Sequence, residues 1–261
     1  NVNLITSIGD KKEYLKFIKN NLAKNIKTKF IFKRKSPTIE KKRYLDKISN
    51  TKILGVYNLN DNNLDKNQDK LFCKYINEKI KKADLVIVSD YGHGFISKKI
   101  AKKISSIKTF KALNAQINSS NIGFNSIEKY TSINLLIINE TELRYQLRDK
   151  NENIKKLMSK LLSIYKIEKI VVTSGSSGAM MFDKKNNKFY SIPAFALNIV
   201  DKIGSGDTML SVLSICLKNK IPNDLSLFIS SIAAAESVET IGNSKSISRI
   251  NLLKRIEHML K

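Results

Sequence analysis

The strongest constraint on this chain is an alternation of two hydrophobic patterns that begins near Lys81. "ADLVIVSDYG", the shorter "TFKALNAQ" and "INLLIINETE" are aliphatic runs without polar alternation, and each predicts a strand buried on both faces. Between and after them, "ISKKIAKKISSIK" places Ile96, Ile100, Ile104 and Ile107 at helical spacing. "NENIKKLMSKLLSIYKI" carries an apolar stripe through Ile154, Leu157, Leu161 and Ile164. "KIVVTSGSSGAMMF" then reads as two strands about a Gly-containing turn. Strands alternating with helices predict an α/β fold whose mainly parallel sheet is covered on both sides. In such sheets ligands bind beyond the carboxyl ends of the strands.

The region from about Lys27 to Asn60 reads differently. "TKFIFKR", "PTIEKKRYLD" and "TKILGVYNL" are short strands with partial alternation, which predicts a small antiparallel excursion that could serve as a lid. "NLNDNNLDKNQD" follows as a polar loop. With no repeat or low-complexity linker, residues 1–261 are expected to form a single domain.

Composition narrows the function classes. The net charge of +24 is spread along the chain as "KK" pairs among Asn and Ile, so it predicts attraction for small anions and no dedicated nucleic-acid stripe. No window is apolar enough to span a bilayer. The chain shows no signal peptide, and Cys73 and Cys216 lack neighbours at metal-ligand spacing. They are expected to be buried small hydrophobes in a reducing cytoplasm. The chain opens at Asn1 inside an expected strand.

The chemistry concentrates in "NIVDKIGSGDTMLSVLSI". A turn through Gly204, Ser205 and Gly206 should lead into a helix near Thr208, with backbone amides clear of side chains at a helix N-terminus, which suits phosphate oxygens. Asp207 at the edge of that cradle could take a proton from an attacking hydroxyl. A Gly-rich turn with an Asp cap explains the same residues without chemistry. In "LLIINETELR", Asn139 and Glu142 lie just beyond a buried strand and could order a hydrated magnesium ion, or simply start a helix. In "VVTSGSSGAMMF", Thr173, Gly175 and Gly178 could wall a nucleotide pocket or form only a tight hairpin.

Taken in order, these three segments resemble the ribokinase-like (PfkB) carbohydrate kinases. "VDKIGSGDTM" is similar to the family's D-T-x-G-A-G-D signature at Asp201, Gly204, Gly206 and Asp207, with Lys202 and Ser205 as departures. "NETE" matches N-x-x-E, and "VVTSGSSG" matches V-T-x-G-x-x-G. Within that family the likeness is greatest to heptose-7-phosphate kinase domains of bifunctional kinase–nucleotidyltransferase proteins. "SPTIEKKRYLD" resembles their lid strand, "SDYGHGFIS" their D-Y-G-K-G segment, and "NAQINSSNIGFNSIEKY" a variant found in some relatives.

The resemblance implies a three-layer α/β/α kinase domain with a small β lid that transfers phosphate from ATP, with Mg2+, to a hydroxyl of a sugar or sugar phosphate. Asp207 would be the general base, and the turn at Gly204, Ser205 and Gly206 the anion hole. Asn139 and Glu142 would organise magnesium, and Thr173, Gly175, Gly178 and Asp201 would border the nucleotide. Lys41, Arg43, Asp90 and Asn114 would face the acceptor. His93 stands where relatives often carry Lys, and a lone His in a Gly-rich loop is expected to be a surface residue. Asn114 stands where many have Asp.

The resemblance also implies a further strand and a G-G-x-x-N segment before Asn1. A nucleoside or small-alcohol kinase, and a degenerate non-catalytic binding domain, remain as alternatives. A homodimer through the lid strands is a further expectation.

Overall fold

The computed structural model describes residues 1–47, 52–117, 121, 125–244 and 246–260. It divides into two compact units, Asn1–Ala83 with Gly92–Ile107, and Asp84–Tyr91 with Lys108–Lys261. Among the described residues no helix is long and apolar enough to cross a membrane.

In the first unit, β1 (Val2–Gly9), α1 (Leu15–Asn21), β2 (Ile26–Lys33), β3 (Glu40–Leu45), β4 (Lys52–Asn58), α2 (Lys66–Lys79) and α3 (Lys98–Ser105) make two separate two-stranded sheets and three helices. β2 runs parallel to β1 from Val2↔Ile26 to Gly9↔Lys33. It is therefore no part of an antiparallel excursion, which is confined to the β3–β4 ribbon. Residues 48–51 of the expected lid lie outside the described residues. Helix α2 begins inside the stretch expected as a loop, because Asp65 accepts from the amides of Asn67 and Gln68 while Gln68 returns a bond to the Asp65 amide. That reciprocal cap satisfies helix-end donors that would otherwise favour irregular chain. α3 buries Ile100 and Ile104 as its spacing predicts.

The second unit holds a six-stranded sheet of order β10-β9-β8-β7-β6-β5, built from β5 (Leu85–Asp90), β6 (Phe110–Ala115), β7 (Ile133–Asn139), β8 (Ile167–Thr173), β9 (Ala179–Asp183) and β10 (Lys188–Ile192). β5 to β8 are parallel, and β9 and β10 are antiparallel additions. Its helices are α4 (Glu140–Leu147), α5 (Ile154–Ile164), α6 (Ser205–Lys218), α7 (Asn223–Val238) and α8 (Arg249–Met259).

Alternation along the strands assigns the layers. Leu135, Ile137, Val171 and Met181 pack with Leu210, Leu213 and Leu217 of α6 and Leu227 of α7. Leu136, Ile138, Ile170 and Val172 point the other way and are equally buried, on the face where α4 and α5 meet β7 to β9. This unit is thus α/β/α with a mainly parallel sheet. The α5 stripe is turned from the expected one. Leu157, Met158, Leu161 and Leu162 are buried and Ile164 is 57% exposed, because the buried face centres between the 157/161 and 158/162 rows and leaves Ile164 at its margin. Cys216 is buried as expected, whereas Cys73 is only half-buried on α2.

Candidate active site

Helix α6 starts at Ser205, three residues earlier than the sequence predicts, with Gly204 as its cap at φ 85°. Only glycine adopts that backbone readily. Gly206 is already helical, and a Cβ built on it would meet nothing within 4 Å. The first intrahelical bond runs from the Thr208 amide to the Gly204 carbonyl. No side chain caps this end, so the amides of Ser205, Gly206 and Asp207 belong to the turn that a helix leaves without internal partners. A positive helix end facing open space is suited to phosphate oxygens.

Asp201 sets the approach to this turn. One of its oxygens accepts from the Ile203 amide and the other from the Gly242 amide, each at 3.0 Å. Upstream, the Val200 and Asp201 amides both donate to the Val238 carbonyl at the end of α7. Both Asp201 oxygens accept backbone amides, and this makes it a positioning residue for the turn.

Asp207 sits in the first turn of α6. The Tyr91 hydroxyl donates to its carboxylate, 3.1 Å from each oxygen. Burial pushes the Asp207 carboxyl up from the ordinary 3.8, with the Tyr91 bond and the nearby Ser89 hydroxyl working against it. Burial, then the Asp207 charge, raises the Tyr91 phenol well above its usual value. Such a carboxylate is a more capable proton acceptor than an exposed one. Sequence reading singles out neither Tyr91 nor Ser89 for a role. Their signal was the two-residue spacing at the end of β5, which sends both side chains one way.

Asp90 lies between them and points away. It is 3% exposed, 2.6 Å from Lys129 Nζ and 2.8 Å from the Tyr130 hydroxyl. Its carboxylate is held in a buried ion pair, whose disruption by loss of one partner typically costs about 3–5 kcal/mol. Asn114, beside Ser89 in the sheet register, donates its side-chain amide to the Ile137 carbonyl at 2.8 Å, which ties β6 to β7. Residues 118–120 and 122–124 of the "NAQINSSNIGFNSIEKY" segment lie outside the described residues.

Asn139 and Glu142 come together as a capping box. Asn139 Oδ1 accepts from the Glu142 amide and Glu142 Oε2 from the Asn139 amide, each at 2.8 Å. Glu142 Oε1 accepts from the Ile117 amide at 3.1 Å. Glu142 is 4% exposed, and burial raises its carboxyl. With all three side-chain oxygens on backbone amides, the pair does not fit direct coordination of a magnesium ion. Among the described residues no group of three or more His, Cys, Asp or Glu is placed to hold a metal.

Thr173 pairs with Asn139 across β7 and β8. The next residue, Ser174, donates to Glu140 at 3.1 Å, so the second and third segments share one sheet edge. Gly175 stands in open space there. Gly178 has φ 88°, and a Cβ on it would fall 2.0 Å from the Ile192 carbonyl oxygen. The hairpin therefore needs glycine at that point.

In the first unit, Lys41 and Arg43 share one face of the β3–β4 ribbon, opposite Tyr57 and Gly55. Lys41 Nζ lies 5.7 Å from the Tyr57 ring centroid, and burial lowers its pKa. His93 is 6% exposed, with Nδ1 2.7 Å from Asp61 Oδ1. It is thus a buried, partnered residue instead of a surface one, because the positive φ of Gly92 and Gly94 folds the loop so that its ring turns inward.

Residues 1–249 match the pfkB family carbohydrate kinase model. The bifunctional protein HldE of Campylobacter jejuni subsp. jejuni serotype O:2 is 29% identical over 240 residues, covering 90% of this chain and 50% of that protein. HldE of Campylobacter jejuni subsp. doylei is 32% identical over 190 residues, 69% of this chain and 40% of its own. The chain thus spans half or less of the length of these curated relatives.

Among solved structures, Escherichia coli phosphofructokinase-2 in complex with potassium matches with TM-score 0.77 at 11% identity, covering 99% of this chain and 82% of that one. Arabidopsis thaliana ribokinase complexed with ribose and ATP matches with TM-score 0.71 at 16% identity, covering 97% and 80%. The fold is ribokinase-like. The family match spans nearly the whole chain, and the chain belongs to the pfkB family of carbohydrate kinases.

Proposed function

We propose that this chain transfers the terminal phosphoryl group of ATP to a hydroxyl of a sugar phosphate, with heptose 7-phosphate as the acceptor. The observation that carries this reading is the first turn of α6, where Asp207 stands beside amides without intrahelical partners and above the open space at Gly206. Phosphoryl transfer needs little covalent chemistry from a protein and is driven by positioning and charge stabilisation. The amides of Ser205 and Gly206 would receive the developing negative charge. Asp207 would accept the proton of the attacking hydroxyl at its carboxylate, and Tyr91 would keep that carboxylate oriented.

An open cavity of about 610 Å3 has one apolar side, with Phe195, Val200 and Ile232 among its residues, and one charged side carrying Glu239, Lys254 and Arg255; the apolar side could take a purine ring, and Val200 directly precedes Asp201. Thr173, Gly175 and Gly178 would border the nucleotide from the neighbouring sheet edge. Magnesium would arrive with the nucleotide, and Asn139 and Glu142 could meet it only through water. The acceptor assignment comes from the likeness to the HldE proteins and from the cationic pair Lys41 and Arg43, which can recognise a dianion. The ribbon would then act as lid of a single kinase domain.

A coupled assay with ATP, magnesium and a panel of sugars, sugar phosphates and nucleosides tests the proposal on the full-length protein. Turnover with heptose 7-phosphate that falls by about 10²–10⁴-fold in Asp207→Asn is the expected result. Absence of turnover with every acceptor would overturn it, and turnover with nucleosides alone would replace the acceptor class.

A further inference from the structure

The two faces of the β3–β4 ribbon carry different groups. On one face Glu40 lies 3.3 Å from Lys42 Nζ and accepts from the Tyr14 hydroxyl at 3.2 Å, so acid and base are matched. On the other, Lys41 and Arg43 are two residues apart, and Tyr57 lies across from Lys41 in the register. Lys52 folds back along β4 until its Nζ is 3.3 Å from the Tyr57 hydroxyl and 5.7 Å from the ring centroid. Three cationic side chains thus gather around one neutral phenol.

Gly55 makes that convergence possible. It faces Arg43 in the register, and a Cβ there would lie 3.0 Å from Lys52 Cε and Nζ and 3.0 Å from the Tyr57 hydroxyl. A larger side chain there would crowd the Lys52 head and the Tyr57 hydroxyl, which would have to shift. Asp61 is the carboxylate whose charge reaches Lys41, and it is itself held by His93 at 2.7 Å. Several cationic groups brought together favour the binding of an anion among them. A dianion with several acceptor oxygens answers both the charge and the donors, since lysine heads and an arginine fork each offer more than one N–H.

We propose that Lys52 and Tyr57 join Lys41 and Arg43 in a receptor for a phosphate monoester dianion, with Lys52 supplying charge and the Tyr57 hydroxyl a directional hydrogen bond. This rests on the sugar-phosphate reading above and names two residues which that reading does not use. Tyr57 is the selective element, because a phenol that turns from Lys52 to a phosphate oxygen donates one bond at a defined angle. The same chemistry could serve the phosphate of the acceptor or free inorganic phosphate.

Titration calorimetry on the full-length protein without nucleotide separates these outcomes and does not depend on turnover. Heptose 7-phosphate should bind the wild-type protein at least ten-fold more tightly than unphosphorylated heptose. Lys52→Met should weaken its binding by ten-fold or more, and Tyr57→Phe by a smaller factor, with unchanged melting temperatures and unchanged ATP affinity. Inorganic phosphate binding as tightly, with the same dependence on Lys52, would keep the receptor but assign it to free phosphate. Equal affinity of both variants and wild type for heptose 7-phosphate, or no binding of either phosphate by the wild-type protein, overturns the inference. Failure of the kinase reading appears separately, as absent phosphoryl transfer in a protein that still binds the sugar phosphate through Lys52.

Discussion

The Tyr91 hydroxyl stands 3.1 Å from both carboxylate oxygens of Asp207, joining the end of β5 to the first turn of α6. The bond favours the ionised carboxylate and opposes the burial that raises its pKa. Removing it in Tyr91→Phe should move Asp207 further up. The acid limb of the kcat/KM profile, which reports the free enzyme's base, should therefore shift to higher pH in the variant. The proposed proton acceptor itself remains, so the loss at pH 8 should stay below about ten-fold.

Asp207→Asn removes the proposed proton acceptor and keeps a group that can still accept from Tyr91. Turnover should fall by about 10²–10⁴-fold. The folded-state pKa of Asp207 is raised, so whatever stability the wild type gains from the protonated form is present below the unfolded pKa and lost as pH rises through the folded one. Asn does not titrate. Thermal melts at pH 7 should show the variant equal to or above the wild type, with the difference closing at low pH.

Two glycine substitutions should separate function from folding. Gly206→Ala places a methyl group where nothing lies within 4 Å and suits a helix, so the denaturant midpoint should hold or rise. Phosphoryl transfer should fall on the order of 10²-fold, as expected for a misplaced reacting group. Gly178→Ala meets the Ile192 carbonyl at 2.0 Å with φ 88°. It should lose about 1–3 kcal/mol or more of stability in urea unfolding.

Glu142→Ala strands the amides of Asn139 and Ile117. Each unsatisfied donor costs about 1–3 kcal/mol, so unfolding measured without nucleotide or magnesium should already show the loss. Glu142→Gln keeps one acceptor oxygen and should fall between. An unchanged unfolding midpoint in Glu142→Ala would refute the structural role assigned to this carboxylate.

Much of the parallel sheet was readable in advance because β7 and β8 are apolar on both faces, a pattern that few folds accept. "GSGD", "NETE" and "VVTSGSSG" were readable because turns and caps are local. Asn139 and Glu142 close their capping box within four residues, and Gly204 needs only its own φ. The limits of local reading show at Asp65, whose cap starts α2 inside an apparent loop, and at β2, whose pairing with β1 depends on chain far from it.

By itself the sequence determined which residues could form strands, helices and the glycine turn before α6, since those choices rest on periodicity, caps and glycine. The tertiary structure alone decided which neighbours on β5 face Asp207. Ser89 and Tyr91 turn toward α6, while Asp90 between them enters a buried pair with Lys129. It also decided that His93 lies buried against Asp61. Which side of a strand or loop meets a partner depends on the element packed against it, and that element can lie more than a hundred residues away, as α6 does from β5.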